Sequence, residues 1–393
     1  MSSGERVFVR APFKIWMWLK ALSVFVVFGL GACSARPGSE VLTPVVSEPH
    51  YTNKVRILVA TTREHGSVED PGAFTSERAN TLNFAALTVS IPKTHIPGQI
   101  EWPDTGPPDP AQNFLTTERE FLAGNEFLSR IRARAKQGGP EAHSVLVFVH
   151  GYNTLYQESV YRFAQIIHDS GFEGTAVLFA WPSRGKAPLY LADRESTNYS
   201  RDYLEQALQK IASLAEVHEV NIMAHSMGNW LAVETLRQAK MKGHGDFNGK
   251  LNNVVLASPD IDVNVFRTQL DVIGRLRQPM TILVSGDDKV LSLSKTFAGG
   301  VDRVGVVAAD DPKVLAGAKR YNLRVIDLTK VSSTDSLNHD KFAQSGAVIA
   351  AIGKGLSGEG KGGTVQSGVF DAVVDAGTSL LKIPAALAGA QGQ

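Results

Sequence analysis

From residue 144 onward the sequence repeats one unit, a short β-branched apolar run followed by a stretch with helical spacing. The runs are SVLVFVHG at 144, TAVLFAW at 175, VNIMAHS at 220, NNVVLASP at 252, MTILVSGDD at 280 and LRVIDL at 323. Between them lie SVYRFAQIIHDSG, DYLEQALQKIASLAEV, MGNWLAVETLRQAK and VFRTQLDVIGRLRQ. A strand buried on both faces reads as a continuous apolar run, and joining parallel neighbours requires a long crossover. The alternation therefore predicts a mostly parallel sheet with helices on both faces. Two earlier runs, VRILVATT at 55 and FAALTVSI at 84, bring the expected strands to about eight. The stretch between these two is polar and lacks a helical period, which predicts an antiparallel edge pair there. With 393 residues, 43% of them hydrophobic, the chain can bury a core of this size.

The ends read differently. Residues 21–32 are an apolar run of about a dozen residues behind Arg6, Arg10, Lys14 and Lys20, too short for the roughly 20 residues of a comfortable membrane span. The single cysteine, Cys33, closes LGAC directly after it. This arrangement resembles the bacterial lipobox, which implies that residues 1–33 are a lipoprotein signal and that Cys33 is the acylated first residue of the mature protein. Serine rather than aspartate at 34 implies, by the same resemblance, the outer membrane of the cell envelope. Residues 34–53, rich in Ser and Pro, read as a flexible tether, and the folded body as residues 54–352. Residues 353–393 begin GKGLSGEGKGGTVQSG and read as a flexible Gly-rich tail, with a weakly amphipathic piece at 369–382. Forty basic residues against thirty-nine acidic ones, without a basic block in the body, argue against a nucleic-acid partner. The expected membrane association is through the N-terminal lipid, with an uncleaved N-terminal anchor as the alternative.

The run at 220 ends in NIMAHSMGNW, at a strand end where a helix begins. Ligands of open α/β sheets bind outside the carboxyl ends of the strands. Ala224-His225-Ser226-Met227-Gly228 has the pattern of a nucleophile elbow, in which small residues flank the serine because the turn is tight. Ser226 is the candidate nucleophile; the plainer alternative is an N-cap for the following helix. VFVHGYNT at 147–154 ends an earlier strand, and His150-Gly151 there brings a turn beneath the elbow. An oxyanion hole needs two preorganised N–H groups, and the backbone donors of Met227 and Tyr152 are the candidates. His150 reads as a structural bridge between loops, and His225 as a residue pointing away from the serine, either in the core or supporting the site from behind.

A serine hydroxyl needs a base, and the base an orienting carboxylate, which follow in the chain order Ser, acid, His in hydrolases of this architecture. VSGDDKVLSLS offers Asp287 and Asp288 after the run at 280, with Asp288 preferred because Val290 and Leu291 would pack it inward. Asp260 and Asp262 after the preceding strand are the alternatives, or caps of the next helix. His339, in SLNHDKF, is the one histidine beyond the last strand and the candidate base, just before a helix expected at 342–352.

TTRE at 61, VSIP at 89, FVHGYN at 148, FAWPSRG at 179, AHSMGN at 224 and SGDDKVLSLS at 285 together resemble a bacterial branch of the α/β-hydrolase superfamily known as a domain of unknown function. The resemblance spans residues 55–352. It implies the α/β-hydrolase fold and its catalytic machinery, and leaves the substrate open. About twenty residues between the runs at 252 and 280 leave no room for a large cap domain, while GGVDRVGVVAADDP at 299–312 is expected as a modest lid. Trp181, Pro182, Ser183, Tyr190 and Asp193 are expected to wall the site. No HExxH, paired-Cys or phosphate-loop spacing is present, so no metal and no cofactor is expected. The expected activity is cofactor-independent hydrolysis of small-molecule or lipid carboxylic esters through an acyl-enzyme. An amidase or acyltransferase using the same triad, or a catalytically silent envelope binding protein, is the alternative.

Overall fold

The structure is a computed structural model that describes residues 36–45, 52–67, 74–103, 108–357 and 379–380. The chain divides into a unit from Met1 to Gly38 and one from Ser39 to Gln393, and the second holds the fold. Cys33, the signal of residues 1–33 and most of the Gly-rich tail lie outside the described residues. Among the described residues no helix is long and apolar enough to cross a membrane.

Ten strands form one sheet: β1 (Thr52–His65), β2 (Phe74–Pro92), β3 (Leu115–Leu122), β4 (Ser144–Val149), β5 (Thr175–Ala180), β6 (Glu219–His225), β7 (Leu251–Ala257), β8 (Met280–Val284), β9 (Leu323–Asp327) and the two-residue β10 (Ser379–Leu380). Their order is β10-β9-β8-β7-β6-β4-β5-β1-β2-β3. From β1 through β9 along that order every pairing is parallel. β2 runs antiparallel to β1, β3 antiparallel to β2, and β10 antiparallel to β9. The crossover helices are α1 (Gly124–Gln137), α2 (Tyr156–Ser170), α3 (Tyr190–Ala212), α4 (Met227–Met241), α5 (Val263–Ile273), α6 (Lys289–Phe297) and α7 (Pro312–Tyr321). Two more, α8 (Lys341–Gln344) and α9 (Gly346–Ser357), follow β9.

All six residues of β4 are buried, and they alternate between two hydrophobic clusters. Val145, Val147 and Val149 pack with Leu204, Leu231 and Phe266 from α3, α4 and α5; Leu146 and Phe148 pack with Val160, Phe163 and Ile352 from α2 and α9. The sheet is thus covered on both faces, as the continuous apolar runs require. The crossover from β4 runs outward to β5 on one side, and that from its other neighbour, β6, runs outward to β7 on the opposite side. The carboxyl ends of β4 and β6 therefore border the crevice where open α/β sheets bind ligands.

Several expectations are corrected. The antiparallel pair is real, but β1 is internal, between β2 and β5, and the outer position belongs to β3, which went unforeseen. Part of the supposed tether is packed: Ser39–Leu42 forms a 3₁₀ turn with Leu42 fully buried, and Val45 N–H donates to Thr116 O of β3 at 2.9 Å. The body thus begins before residue 54 because Leu42 completes the cluster under α2. The Gly-rich tail likewise starts late, since α9 continues to Ser357. The expected helix at 342–352 is two, broken at Ser345. The supposed lid at 299–312 is tied to the sheet, with Ser285 N–H donating to Gly305 O and Gly305 N–H to Pro259 O.

Candidate active site

Ser226 joins β6 to α4 with φ 52° and ψ −121°, a conformation costly for a residue with a Cβ. Its backbone is held from three sides: Ser226 N–H donates to Ala257 O at 3.0 Å, while Asp260 N–H and the fully buried Asn229 side chain donate to Ser226 O at 3.2 and 3.0 Å. Two glycines make the turn possible. A Cβ on Gly228 would collide with His150 O and Val149 O, and one on Gly151 would stand 2.9 Å from His225 Nδ1 and 3.1 Å from Ser226 Cβ. The start of α4, which carries Met227, thus lies directly on the loop after β4, which carries Tyr152. As no side-chain cap hydrogen bond forms at Ser226, the N-cap alternative has no bond to support it.

The β4 loop is fixed from below. His150 is buried, stacks on Trp181 with ring centroids 5.0 Å apart, and receives the Trp181 indole N–H at its carbonyl at 2.7 Å. Burial, helped by the nearby Arg63 charge, pushes its pKa down to about 3, so the ring is neutral and structural. Arg63 of the TTRE stretch is itself buried and donates to Thr154 O at 3.1 Å. Asp193, fully buried, accepts from Ser183 Oγ at 2.6 Å, Arg184 N–H at 2.7 Å and Asn153 N–H at 3.3 Å. Asp193, Ser183 and the wholly buried Trp181 therefore hold the loop rather than present themselves to a ligand.

His339 Nδ1 lies 2.7 Å from Asp288 Oδ2. Asp288 is fully buried, and its other oxygen accepts from Leu291 N–H at 2.9 Å, capping α6. Burial acts to lower the His339 pKa, but the hydrogen bond and charge of Asp288, with Asp340 and Asp260 adding, outweigh it and raise the value. The neighbouring Asp287 faces elsewhere, with its oxygens 2.8 and 2.9 Å from the buried Lys341 Nζ and accepting from Asn338 Nδ2 at 3.0 Å. Asp260 takes Tyr190 O–H at 2.8 Å and Ser294 O–H at 2.6 Å, beside the buried Arg303 guanidinium, and Asp262 caps α5. Neither bonds His339. His225, instead of pointing into an isolated core, packs its ring 4.7 Å from those of His339 and Phe342, and burial lowers its pKa to about 3.

Sequence reasoning missed the frame of the histidine loop. Asp335 accepts the backbone N–H groups of Leu337 and His339 at 2.8 and 2.7 Å, and Ser258, at φ 45°, donates its hydroxyl to His339 O at 3.1 Å. A serine directly before proline at a strand end was the available signal for Ser258. A cavity of about 310 Å³ opens here, lined by Gly151, Tyr152, His225 and His339 together with Trp102 and Arg162.

A family model described as an alpha/beta hydrolase of unknown function, DUF900, matches residues 130–355. No curated protein matches the chain. Among solved structures, lipase B of Aspergillus fumigatus aligns at 16% identity and TM-score 0.27 over 42% of this chain, which spans only 42% of that lipase. An esterase of Pyrobaculum calidifontis aligns at 9% identity and TM-score 0.33, covering 88% of this chain and 93% of the esterase. Esterases of Rhizomucor miehei align at 11% identity and TM-score 0.32, covering 79% and 86%. These similarities are too low to bear on substrate or mechanism.

Proposed function

The chain belongs to this α/β-hydrolase family of unknown function, matched over residues 130–355, and from that premise we propose that it is a serine hydrolase of carboxylic esters. The observation that carries the reading is the 2.7 Å contact between His339 and a wholly buried Asp288, fifty-one residues apart in sequence, with the His339 ring packed 4.7 Å from that of His225, the residue before a serine held at positive φ. A buried carboxylate on Nδ1 fixes the imidazole so that Nε2 is its free basic atom.

In this reading Nε2 of His339 takes the Ser226 proton as Oγ attacks the ester carbonyl. The oxyanion that forms is held by the Met227 and Tyr152 N–H groups. Collapse expels the alcohol, which takes the proton from His339, and leaves an acyl group on Ser226. Water, deprotonated by His339, then attacks the acyl carbon and releases the carboxylic acid, returning the proton to Ser226. The mixed lining of the cavity, with Trp102 apolar and Arg162 cationic, suits an ester with both an apolar and a polar part. The proposed address is the bacterial envelope, through lipid on Cys33.

A fluorophosphonate probe tests the chemistry. It labels the wild type and spares Ser226→Ala, and p-nitrophenyl esters of graded chain length then define the acyl preference. Equal labelling of both proteins would remove Ser226 as nucleophile.

A further inference from the structure

Beyond the cavity, at the C-terminal end of α2, three side chains from two separate parts of the chain converge. His95 lies in the turn after β2, and His168 and Asp169 end α2. Asp169 Oδ1 stands 2.9 Å from His95 Nε2 and 3.0 Å from His168 Nδ1, and one donor atom from each residue falls within 4.8 Å of the others. The His95 and Asp169 side chains are 2% and 1% exposed, whereas His168 is 27% exposed, leaving an approach from solvent on its side. A second layer holds these groups in place. Glu101 Oε2 lies 2.7 Å from His95 Nδ1, and Asp169 Oδ2 accepts from Gly98 N–H at 2.7 Å and Gln165 Nε2 at 2.6 Å. Asn53 Nδ2 lies 3.2 Å from His168 Nε2; with Nδ1 on an ion Nε2 carries the ring hydrogen, so the Asn53 amide would turn its oxygen to it.

Glu101 on Nδ1 turns His95 so that Nε2 faces Asp169 Oδ1, and His168 Nδ1 faces the same oxygen. Two imidazoles and a carboxylate thus converge on one spot, with one donor atom of each within 4.8 Å of the others. We propose that His95, His168 and Asp169 bind one divalent transition-metal ion of the zinc class, with solvent as the fourth ligand.

The donor set of two imidazoles and a carboxylate is one that zinc takes, and bonds of about 2.0–2.1 Å in a tetrahedron place donors about 3.3 Å apart, so the observed pairs need to spread by only a few tenths of an ångström. A carboxylate behind a ligating histidine, as Glu101 stands behind His95, orients the ring and raises its basicity. The C-terminal end of a helix, with its unpaired carbonyls, also favours a cation. Binding displaces whatever protons occupy the two metal-facing ring nitrogens and changes no covalent bond. The ion would act as a clamp: Ile100 and Trp102 from the same loop as His95 and Arg162 from α2 line the cavity, so joining loop to helix fixes that wall.

The test is titration of tag-free, chelator-treated full-length protein with Co²⁺. Visible absorption of four-coordinate Co²⁺ should saturate at one equivalent and be displaced by Zn²⁺. Asp169→Asn and His168→Ala should lose it, Glu101→Gln should bind about 10–100-fold more weakly, and Ser226→Ala should bind as the wild type does. Absence of saturable binding in the wild type overturns the proposal, as does binding retained by both ligand variants. Loss in His339→Ala with retention in Asp169→Asn would put the ion in the cavity and overturn it equally. Should the ligand variants fail to fold, the wild type alone decides: one equivalent of Zn²⁺ raises its Tm, and an unchanged Tm refutes the site.

Discussion

Asp287 and Asp288 are adjacent, yet they face different partners, and substitution can separate them. Asp288→Asn keeps an oxygen for the Leu291 N–H and so retains the helix cap, but removes the charge on His339 Nδ1. Turnover should fall on the order of 10⁴-fold with little change in Tm, as in serine hydrolases whose orienting carboxylate is made an amide. Asp287→Asn instead removes the anion from buried Lys341, and should lower Tm while costing turnover far less. Steady-state kinetics with thermal melts distinguish the two, and equal kinetic losses would undo the assignment of the acid. The pH profile is a second handle. His339 must be neutral to act as base and its pKa is raised above 6.5, so kcat/KM should fall as pH drops through a value higher than that. Asp340 is one of the charges that raise it, and Asp340→Asn should move the acid limb to lower pH; a limb that stays in place would show that Asp340 has no such influence.

Elements were legible where burial was complete. The eight apolar runs all became strands, most of their residues buried, although in β9 only Leu323 and Ile326 are. β3, LTTEREFL, escaped notice because it lies at the outer side of β2 and its charged residues are compatible with one solvated face. The segment at 39–45 was misread for the opposite reason, since its Ser and Pro content hid one residue, Leu42, that the core requires. Leu42→Ala should therefore cost about 2–5 kcal/mol, a penalty no tether residue would carry, and chemical denaturation measures it. The triad candidates were legible through chain order, whereas Lys341, Asp335 and Ser258 were not, because their roles depend on which loops meet in space. The convergence of His95 with His168 and Asp169 was hidden likewise: more than seventy residues separate them, and no spacing rule reaches that far.

At the scale of the whole molecule the expected anchor is one residue, Cys33, ahead of the folded body and outside the described residues. Palmitate-analogue labelling should mark the wild type and be absent from Cys33→Ser, with the variant leaving the membrane fraction; labelling that persists would dismiss the lipid. Three chains of a mature lipoprotein hold firmly where one alone would exchange. The contact between α4 and the β4 loop has a different consequence, for how such a protein diversifies. Gly228 on Val149 and His150 is a place where main chain sets the spacing, and Gly151 is one where the chain lies directly against the His225 ring and Ser226 Cβ. The proposed reacting centre is thus spaced by two glycines rather than by the bulk of the sequence around it. Libraries that vary Ile100, Trp102 and Arg162 should yield enzymes of altered acyl preference at high frequency, whereas positions 151 and 228 should return glycine almost exclusively.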